Sequence, residues 1–277
     1  VVVDVAHGDQ LARVMSILQA LGGLAPMVAP VLGALVITVA TWRTVFWVLA
    51  GLGALMVLSA VWFVPETLPA ERRHTGGLRR SVAGIGEVLR VRPFVGYTLV
   101  ATFSGFTMMA YIANSSYVLQ VMKGMAPIPF SLFFASTALS QVLLSILNAR
   151  LVGRVRPRTL IRIGLVTTSV GVVALVLGIL LWDTPLLLTC AGFLVVMASM
   201  AFIYGNSAAL GALEVTHIAG AAAAVQGVAG ALAMALAAPL ASAGGGHTAV
   251  PMIAVMAGGS AIALTSYATL TRPRRAR

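Results

Sequence analysis

The feature that most constrains this chain is a succession of apolar runs, each about as long as a bilayer is thick. A hydrocarbon core of about 30 Å requires about 20 apolar residues in a helix. Eight runs meet that length, and they cover residues 14–40, 44–64, 93–121, 130–149, 159–182, 185–213, 219–243 and 248–270. Charged residues make up 9% of the chain, whereas a soluble domain carries about a quarter. The sequence therefore predicts an all-α polytopic membrane protein with eight transmembrane helices.

A long polar interval, residues 65–92, divides the chain and orients it. It contains six of the eighteen Lys and Arg residues, namely Arg72, Arg73, Arg79, Arg80, Arg90 and Arg92. Basic residues accumulate in cytoplasmic loops, so we expect this interval to be cytoplasmic. Alternate assignment of the other intervals then places sixteen Lys and Arg inside and two outside, with both termini cytoplasmic. We expect two helices of one half in residues 1–64, this central loop, and a six-helix half with a basic tail in residues 93–277.

The central loop itself permits two structures. Leu78, Val82, Ile85 and Leu89 recur at helical spacing with arginines on the other face, which is typical of a short amphipathic helix in the lipid headgroup layer. Glycines within the segment weaken a helix. A solvated loop with scattered apolar residues explains the pattern equally well.

Several classes of chemistry lack their residues in this sequence. A single cysteine, Cys190, excludes a disulfide framework and a thiolate metal site. The four histidines fall between the apolar runs and are scattered. We find no catalytic triad, phosphate-binding loop or dinucleotide fingerprint. The net charge of +11 is better explained as a topology signal than as a nucleic-acid surface. We therefore expect no enzymatic activity, cofactor, metal or nucleic-acid partner.

The first run combines small residues with two prolines. Its distinctive positions are Gly22, Ala25, Pro26, Ala29, Pro30 and Gly33. The small residues share one helix face and permit close approach of another helix. Each proline removes a backbone donor and bends the helix. From physics alone, a packing kink without a further role is the favoured explanation.

Residues 29–34, APVLGA, resemble the glycine-rich antiporter motif in the fifth helix of the major facilitator superfamily. The doubled Ala-Pro is most similar to the Bcr/CflA drug-resistance branch. Further segments resemble the same branch: residues 42–47, 65–69, 111–112, 115–120, 148–152 and 217–220. The resemblance extends over essentially the whole chain.

This resemblance implies a twelve-helix fold in two pseudo-symmetric halves that rock around a central site. The eight runs then correspond to helices five to twelve, and we expect the parent protein to have four further N-terminal helices. The implied protein is a multi-pass transporter of a bacterial-type inner membrane, exporting a small amphipathic compound in exchange for protons. The prolines and small residues of the first run then form its conformational motif.

Polar side chains within the apolar runs are the best candidates for a substrate cavity, because they are costly in lipid. The resemblance implies that the cavity is lined by the third, fourth, sixth and seventh runs. The candidates in those runs are Tyr111, Asn114, Gln141, Tyr204, Asn206 and Gln226. Thr107, Thr137 and Ser145 are assigned mainly to packing, since Ser and Thr often bond to their own helix. Gly220, Gly227 and Gly230 are expected to provide close helix contacts.

Proton coupling requires a group that titrates at membrane depth. The seven acidic residues are Asp4, Asp9, Glu66, Glu71, Glu87, Asp183 and Glu214, and none lies in the middle of an apolar run. We expect the coupling carboxylate in the four further helices. Two alternatives remain open: a facilitator or importer of a metabolite on the same fold, and a membrane assembly subunit that does not transport.

Overall fold

The computed structural model describes residues 39–63, 77–182, 185–243 and 248–271, with isolated positions between residues 10 and 36. The helices are α1 (Trp42–Phe63), α2 (Gly77–Arg90), α3 (Arg92–Ser116), α4 (Pro127–Leu151), α5 (Pro157–Trp182), α6 (Leu186–Leu213), α7 (Ala219–Ala241) and α8 (Val250–Leu270). A π-helical segment, Tyr117–Met122, extends α3, and a 3-10 turn, Thr216–Ile218, precedes α7. The described residues contain no strand.

Seven helices in the described part of the chain are long and apolar enough to cross a membrane. Their ends agree with seven of the eight predicted runs to within three residues. The all-α polytopic fold is therefore confirmed. The first run, with its small residues and prolines at positions 22, 25, 26, 29, 30 and 33, lies outside the described residues.

Helices α3 to α8 pack into one unit around α3. The most extensive contacts join α5 to α6 and α3 to α8, and α3 also contacts α6 and α7. Twelve residues of α3 are buried. In the most apolar stretch of Arg92–Met122, more than half of the residues are buried. The helix thus occupies the interior of the unit, where its polar residues are shielded from lipid.

Glycines bring the most closely packed helices together. A Cβ atom built at Gly164 would lie 2.7 Å from Ile203 Cγ1 on α6, and one at Gly192 would lie 2.7 Å from Leu175 Cγ on α5. On the other side, a Cβ at Gly259 of α8 would lie 2.6 Å from Thr107 Oγ1 of α3. Membrane helices associate through such small residues because lipid supplies no hydrophobic drive between them.

The α7 glycines behave differently from expectation. A Cβ atom built at Gly220, Gly227 or Gly230 meets no described atom within 4 Å. The prediction that they provide close helix contacts is wrong for the described part of the chain, because this face of α7 points away from α3 and α6.

One end of the unit gathers most of the described basic residues. Gly96 near the start of α3 contacts Leu270 at the end of α8, and the Tyr267 hydroxyl donates to the Arg158 carbonyl at 2.7 Å near the start of α5. The same end carries Arg90, Arg92, Arg150, Arg154, Arg156, Arg158 and Arg162. Lys123 lies at the opposite end, after α3. We call the arginine-rich end the basic end.

The polar segment that precedes α3 contains the helix α2, so of the two structures expected for this segment the structure shows a helix rather than a solvated loop. Val88 of α2 is fully buried in a cluster with Phe94 of α3, Val215 and Ala222. Ile85 and Leu89, which the apolar spacing placed on one face, are 37% and 53% exposed. The helix therefore docks through Val88, while Ile85 and Leu89 stay on the outer surface.

Helix α1 differs from the six-helix unit because none of its residues is buried. Trp42, Trp47, Trp62 and Phe63 are all more than half exposed. Arg43 lies 4.6 Å from the centre of the Trp42 ring, which is a cation–π contact. An apolar surface on all sides suits a helix that faces lipid or other membrane helices.

Candidate functional site

The predicted cavity residues lie at three levels along α3, marked by Tyr111, Gly105 and Tyr97. A helix rises about 1.5 Å per residue, so the levels of Tyr97 and Tyr111 are about 21 Å apart. Tyr111 and Asn206 are buried, and the other four candidates are half-buried. The arrangement is a series of polar groups across the membrane rather than one compact cluster.

At the outer level, farthest from the basic end, Tyr111 is held by both polar and aromatic contacts. Its hydroxyl lies 3.0 Å from Thr137 Oγ1 on α4. Thr137 donates its own proton to the Phe134 carbonyl at 2.8 Å, so Tyr111 is the donor in the pair. The Tyr111 ring stacks on Phe134 with centroids 5.8 Å apart and contacts Phe193 of α6 at 5.1 Å. Tyr111 therefore joins three helices.

Asn114 lies one turn farther out on α3 and is half-buried. Its Nδ2 atom is inaccessible and has no hydrogen-bond partner among the described residues. A buried donor without a partner costs about 1–3 kcal/mol. Asn114 is therefore a candidate whose amide donor is unused by the described residues.

Gln141 is half-buried on α4, one turn from Thr137 toward the basic end. Thr137, Ser145 and Asn148 of the same row are buried. Gln141 thus lies between the outer and inner levels, in a row of α4 residues that otherwise packs against neighbouring helices.

The middle level contains Tyr204 of α6. Its hydroxyl lies 3.9 Å from Met108 Sδ, and a Cβ at Gly105 would lie 3.1 Å from the same oxygen. The terminal carbon of Met234 on α7 also lies against Gly105. Thioethers and a phenol therefore meet where α3, α6 and α7 approach one another.

The inner level, nearest the basic end, contains Asn206 and Gln226. Asn206 donates to Asn148 Oδ1 at 2.8 Å and to the Phe202 carbonyl at 2.9 Å. A Cβ built at Gly211 would lie 2.7 Å from Gln226 Nε2, so the Gln226 amide lies directly on the backbone of α6. Asn148 and Gly211 are thus close partners of two candidates.

The sequence pattern places Asn148 in the polar row of α4 and Gly211 in the same helical row as Tyr204, but it does not pair them with Asn206 and Gln226. Asn148 falls in the regular polar row of α4, which is the signal that can identify it. For Gly211 the sequence does not indicate that a side chain packs on it, because glycines with and without such a contact occur in the same apolar sequence context. Both are identified by the contacts across α4, α6 and α7.

The carboxylates in the described part of the chain are Glu87 and Glu214, and both lie at the basic end. Glu87 Oε1 lies 2.9 Å from His217 Nε2, and Glu214 Oε1 lies 3.9 Å from an Arg158 nitrogen. Both contacts are partly exposed, so they contribute little to stability. The described transmembrane segments contain no acidic side chain.

A cleft of about 790 Å³ also opens at the basic end of α4. None of the six candidate residues lines it. It is therefore separate from the three levels along α3.

Comparison with known proteins supports a transport role. Residues 1–238 match the Major Facilitator Superfamily. The chain is 31% identical to the uncharacterized MFS-type transporter YdgK of Bacillus subtilis, over 99% of this chain and 68% of YdgK. It is 29% identical to a bicyclomycin resistance protein homolog of Haemophilus influenzae, over 64% of this chain and 45% of that protein.

A third relative is the multidrug resistance protein MdtL of Escherichia coli, 27% identical over 75% of this chain and 51% of MdtL. The matched regions thus span about half the length of these two resistance proteins and about two thirds of YdgK. With a family match over most of its residues and seven membrane-length helices, this chain belongs to the major facilitator superfamily of membrane transporters.

Proposed function

We propose that the protein exports small amphipathic drugs or metabolites across the bacterial inner membrane, in exchange for protons and by alternating access. The observation that carries this proposal is that amide, phenol and thioether groups of α3, α4, α6 and α7 lie at successive levels inside one six-helix unit. Similarity to proteins named for bicyclomycin and multidrug resistance supports a drug-like substrate.

The side chains along α3 suit an uncharged or weakly polar ligand. Asn114 offers a donor, Tyr204 offers a phenol, and Met108 and Met234 offer flexible apolar contacts. Methionine adapts its shape to different ligands because its side chain is unbranched and polarizable. The described spans carry no carboxylate that would serve as the counter-ion of a cationic ligand.

The helices fit the second half of the family's twelve-helix plan. In this proposal α3 to α8 are helices seven to twelve, α1 is the sixth, and the first apolar run is the fifth. The two halves rock about a central site near the bilayer midplane, where Tyr204 and Gly105 lie. The small residues and prolines at positions 22 to 33 then act at the interface between the halves.

Proton exchange needs a titrating group that both sides of the membrane reach in turn. Glu87 and Glu214 lie at one end of the unit, so they do not meet this requirement. Neither of these two described carboxylates is therefore assigned as the coupling group.

Export can be tested in bacterial cells that lack their own drug exporters. The complete protein should lower the accumulation of a fluorescent lipophilic dye, and a protonophore should abolish that effect. Equal accumulation with and without the protonophore would indicate a facilitator instead. Unchanged accumulation across a panel of chemically varied dyes would favour the assembly subunit.

Asn114→Leu tests the site itself. The variant should raise dye accumulation several-fold in exporting cells without lowering the amount of protein in the membrane, because it removes a donor that no described residue uses. Gln120→Leu is the matched control, since the Gln120 amide already bonds to Ser116 Oγ at 2.8 Å within its own helix. An equal effect of both substitutions would refute the assignment of Asn114.

A further inference from the structure

The cleft at the basic end lies between α4 and residues of the first apolar run. Its lining comprises Arg13, Ile17, Val142, Ser145, Ile146, Ala149, Arg150, Val152, Gly153 and Arg154. A volume of about 790 Å³ lies within the range of about 300–1,000 Å³ that is usual for small-molecule sites. The cleft is large enough for a headgroup and part of a hydrocarbon chain.

Three arginines define its polar end. Arg13, Arg150 and Arg154 are exposed, and no acidic side chain occurs among the described lining residues. In the described part of the chain none of the three forms an ion pair, whereas Arg158 nearby is paired with Glu214. Arginine binds phosphate oxygens in a bidentate manner, so the cleft offers unneutralised charge suited to a phosphate.

The backbone after α4 brings two of these arginines together. Gly153 has a φ of +96°, a conformation that side-chain-bearing residues rarely adopt. The Arg154 amide donates to the Leu151 carbonyl at 3.0 Å, which closes a tight turn. Because the chain reverses at this turn, Arg150 at the end of α4 and Arg154 after the turn line the same cleft.

The rest of the lining is mainly apolar and runs into the membrane-spanning part of α4. Val142, Ile146 and Ala149 follow one another at helical spacing with Ser145 among them, and Ile17 also lines the cleft. From Arg150 to Val142 the wall is about 12 Å long, at about 1.5 Å per residue. A soluble anion would leave this wall without a partner, whereas a lipid would cover it with its acyl chain.

We propose that this cleft binds an anionic lipid of the surrounding bilayer, with the phosphate on Arg13, Arg150 and Arg154 and an acyl chain against Val142 and Ile146. A basic pocket between transmembrane helices at the headgroup level is the arrangement that recognises such lipids. The site is independent of the proposed substrate residues, since none of them lines the cleft. One lipid would contact both the first apolar run and α4.

The test is native mass spectrometry of the complete protein, incubated in detergent with phosphatidylglycerol or with phosphatidylcholine. We expect selective retention of phosphatidylglycerol. Arg150→Gln and Arg154→Gln should each weaken that retention about fivefold, the usual effect of one basic residue near an anionic membrane surface. Arg156→Gln is the matched control, because Arg156 lies in the same connection and does not line the cleft.

Ile146→Trp provides an independent variant that leaves the arginines in place. Ile146 is 44% exposed, so the larger side chain fits without disturbing the core, and it should displace the lipid by filling the apolar wall. Equal losses in the Arg150, Arg154 and Arg156 variants, or retention unchanged in Ile146→Trp, would overturn the proposal. Displacement of the lipid by millimolar inorganic phosphate would also overturn it, since the phosphate alone would then suffice for binding.

Discussion

At the scale of single residues, the buried polar atoms differ in whether they have a hydrogen-bond partner among the described residues. Asn206 has two acceptors, on Asn148 and on its own helix. Thr168 of α5 pairs with Ser199 of α6 in the same way. Asn114 differs, because its buried donor has no described partner. Two asparagines of similar cost in lipid thus differ in their donor group: the Nδ2 atom of Asn206 is paired, and that of Asn114 is not.

The Asn148–Asn206 pair can be measured by a double-mutant cycle. Asn148→Ala and Asn206→Ala should each destabilise the protein, and the coupling energy between them should be about 0.5–1.5 kcal/mol, as for hydrogen bonds between membrane helices. Unfolding in mixed micelles of increasing sodium dodecyl sulfate gives the free energies. Strict additivity of the two substitutions would show that the pair contributes nothing to stability.

At the scale of helices, the positions of glycines determine which pairs of helices pack in close contact. A Cβ at Gly171 of α5 would lie 2.9 Å from Val196 and 3.1 Å from the Gly192 carbonyl on α6. Because one neighbour is backbone, the contact cannot be relieved by a side-chain rotation. Helices α5 and α6 therefore behave as one unit.

Gly171→Leu should separate α5 from α6 and lower stability by about 1–3 kcal/mol or more, the usual range for overpacking. Gly227→Leu is the matched control, since nothing described lies within 4 Å of its built Cβ atom. Detergent-resistant folded protein, measured by size-exclusion chromatography, should fall for the first variant alone. A comparable fall for Gly227→Leu would reveal a contact of α7 outside the described residues.

Docking of α2 depends on one side chain. Val88→Asp should release α2 from α3 and α7, because the carboxylate would be placed among Phe94, Val215 and Ala222. Limited proteolysis should then cleave within Gly77–Arg90 at least several-fold faster. Leu89→Asp introduces the same charge at a 53% exposed position and should leave cleavage close to that of the unchanged protein. Equal protection of both variants would mean that Val88 does not hold the helix.

The sequence predicts where the helices of this fold begin and end better than it predicts which residues of each helix contact a neighbouring helix. A run of about 20 apolar residues has one stable structure in lipid, so the ends of α3 to α8 follow from length and hydropathy. Which glycines lie in contacts depends on the neighbouring helix, and so Gly220 and Gly227 resemble Gly171 and Gly192 in sequence alone. The substrate role of Tyr111 and Asn114 stays a prediction, although their different partners are now defined.

At the scale of the whole molecule, the separation of Lys123 from the arginines of the basic end agrees with the sixteen-to-two charge asymmetry of the sequence. Positive residues face the cytoplasm in short loops. The basic end is therefore expected on the cytoplasmic side, with Lys123 outside. This orientation also places the proposed lipid cleft in the inner leaflet.

Cysteine labelling can establish this orientation. In a Cys190→Ser background of the complete protein, Arg156→Cys should react with a membrane-impermeant maleimide only in inverted vesicles. Ala126→Cys, at the opposite end, should react only in intact cells. Both positions are exposed, so access depends on sidedness alone. The reverse pattern would invert the topology.

The contact between α3 and α8 imposes an order on biosynthesis. The Thr107 hydroxyl of α3 lies 3.3 Å from the Met256 carbonyl of α8 and against Gly259, yet 149 residues separate Thr107 from Met256. At about 5–20 residues per second, a ribosome needs roughly 7–30 s to supply the partner. Throughout that interval the newly inserted α3 must keep a polar face in the membrane without its final neighbour. The last of the described helices to be translated is thus the one that completes the described interior, and a ribosome that stops before α8 leaves α3 exposed to membrane quality control.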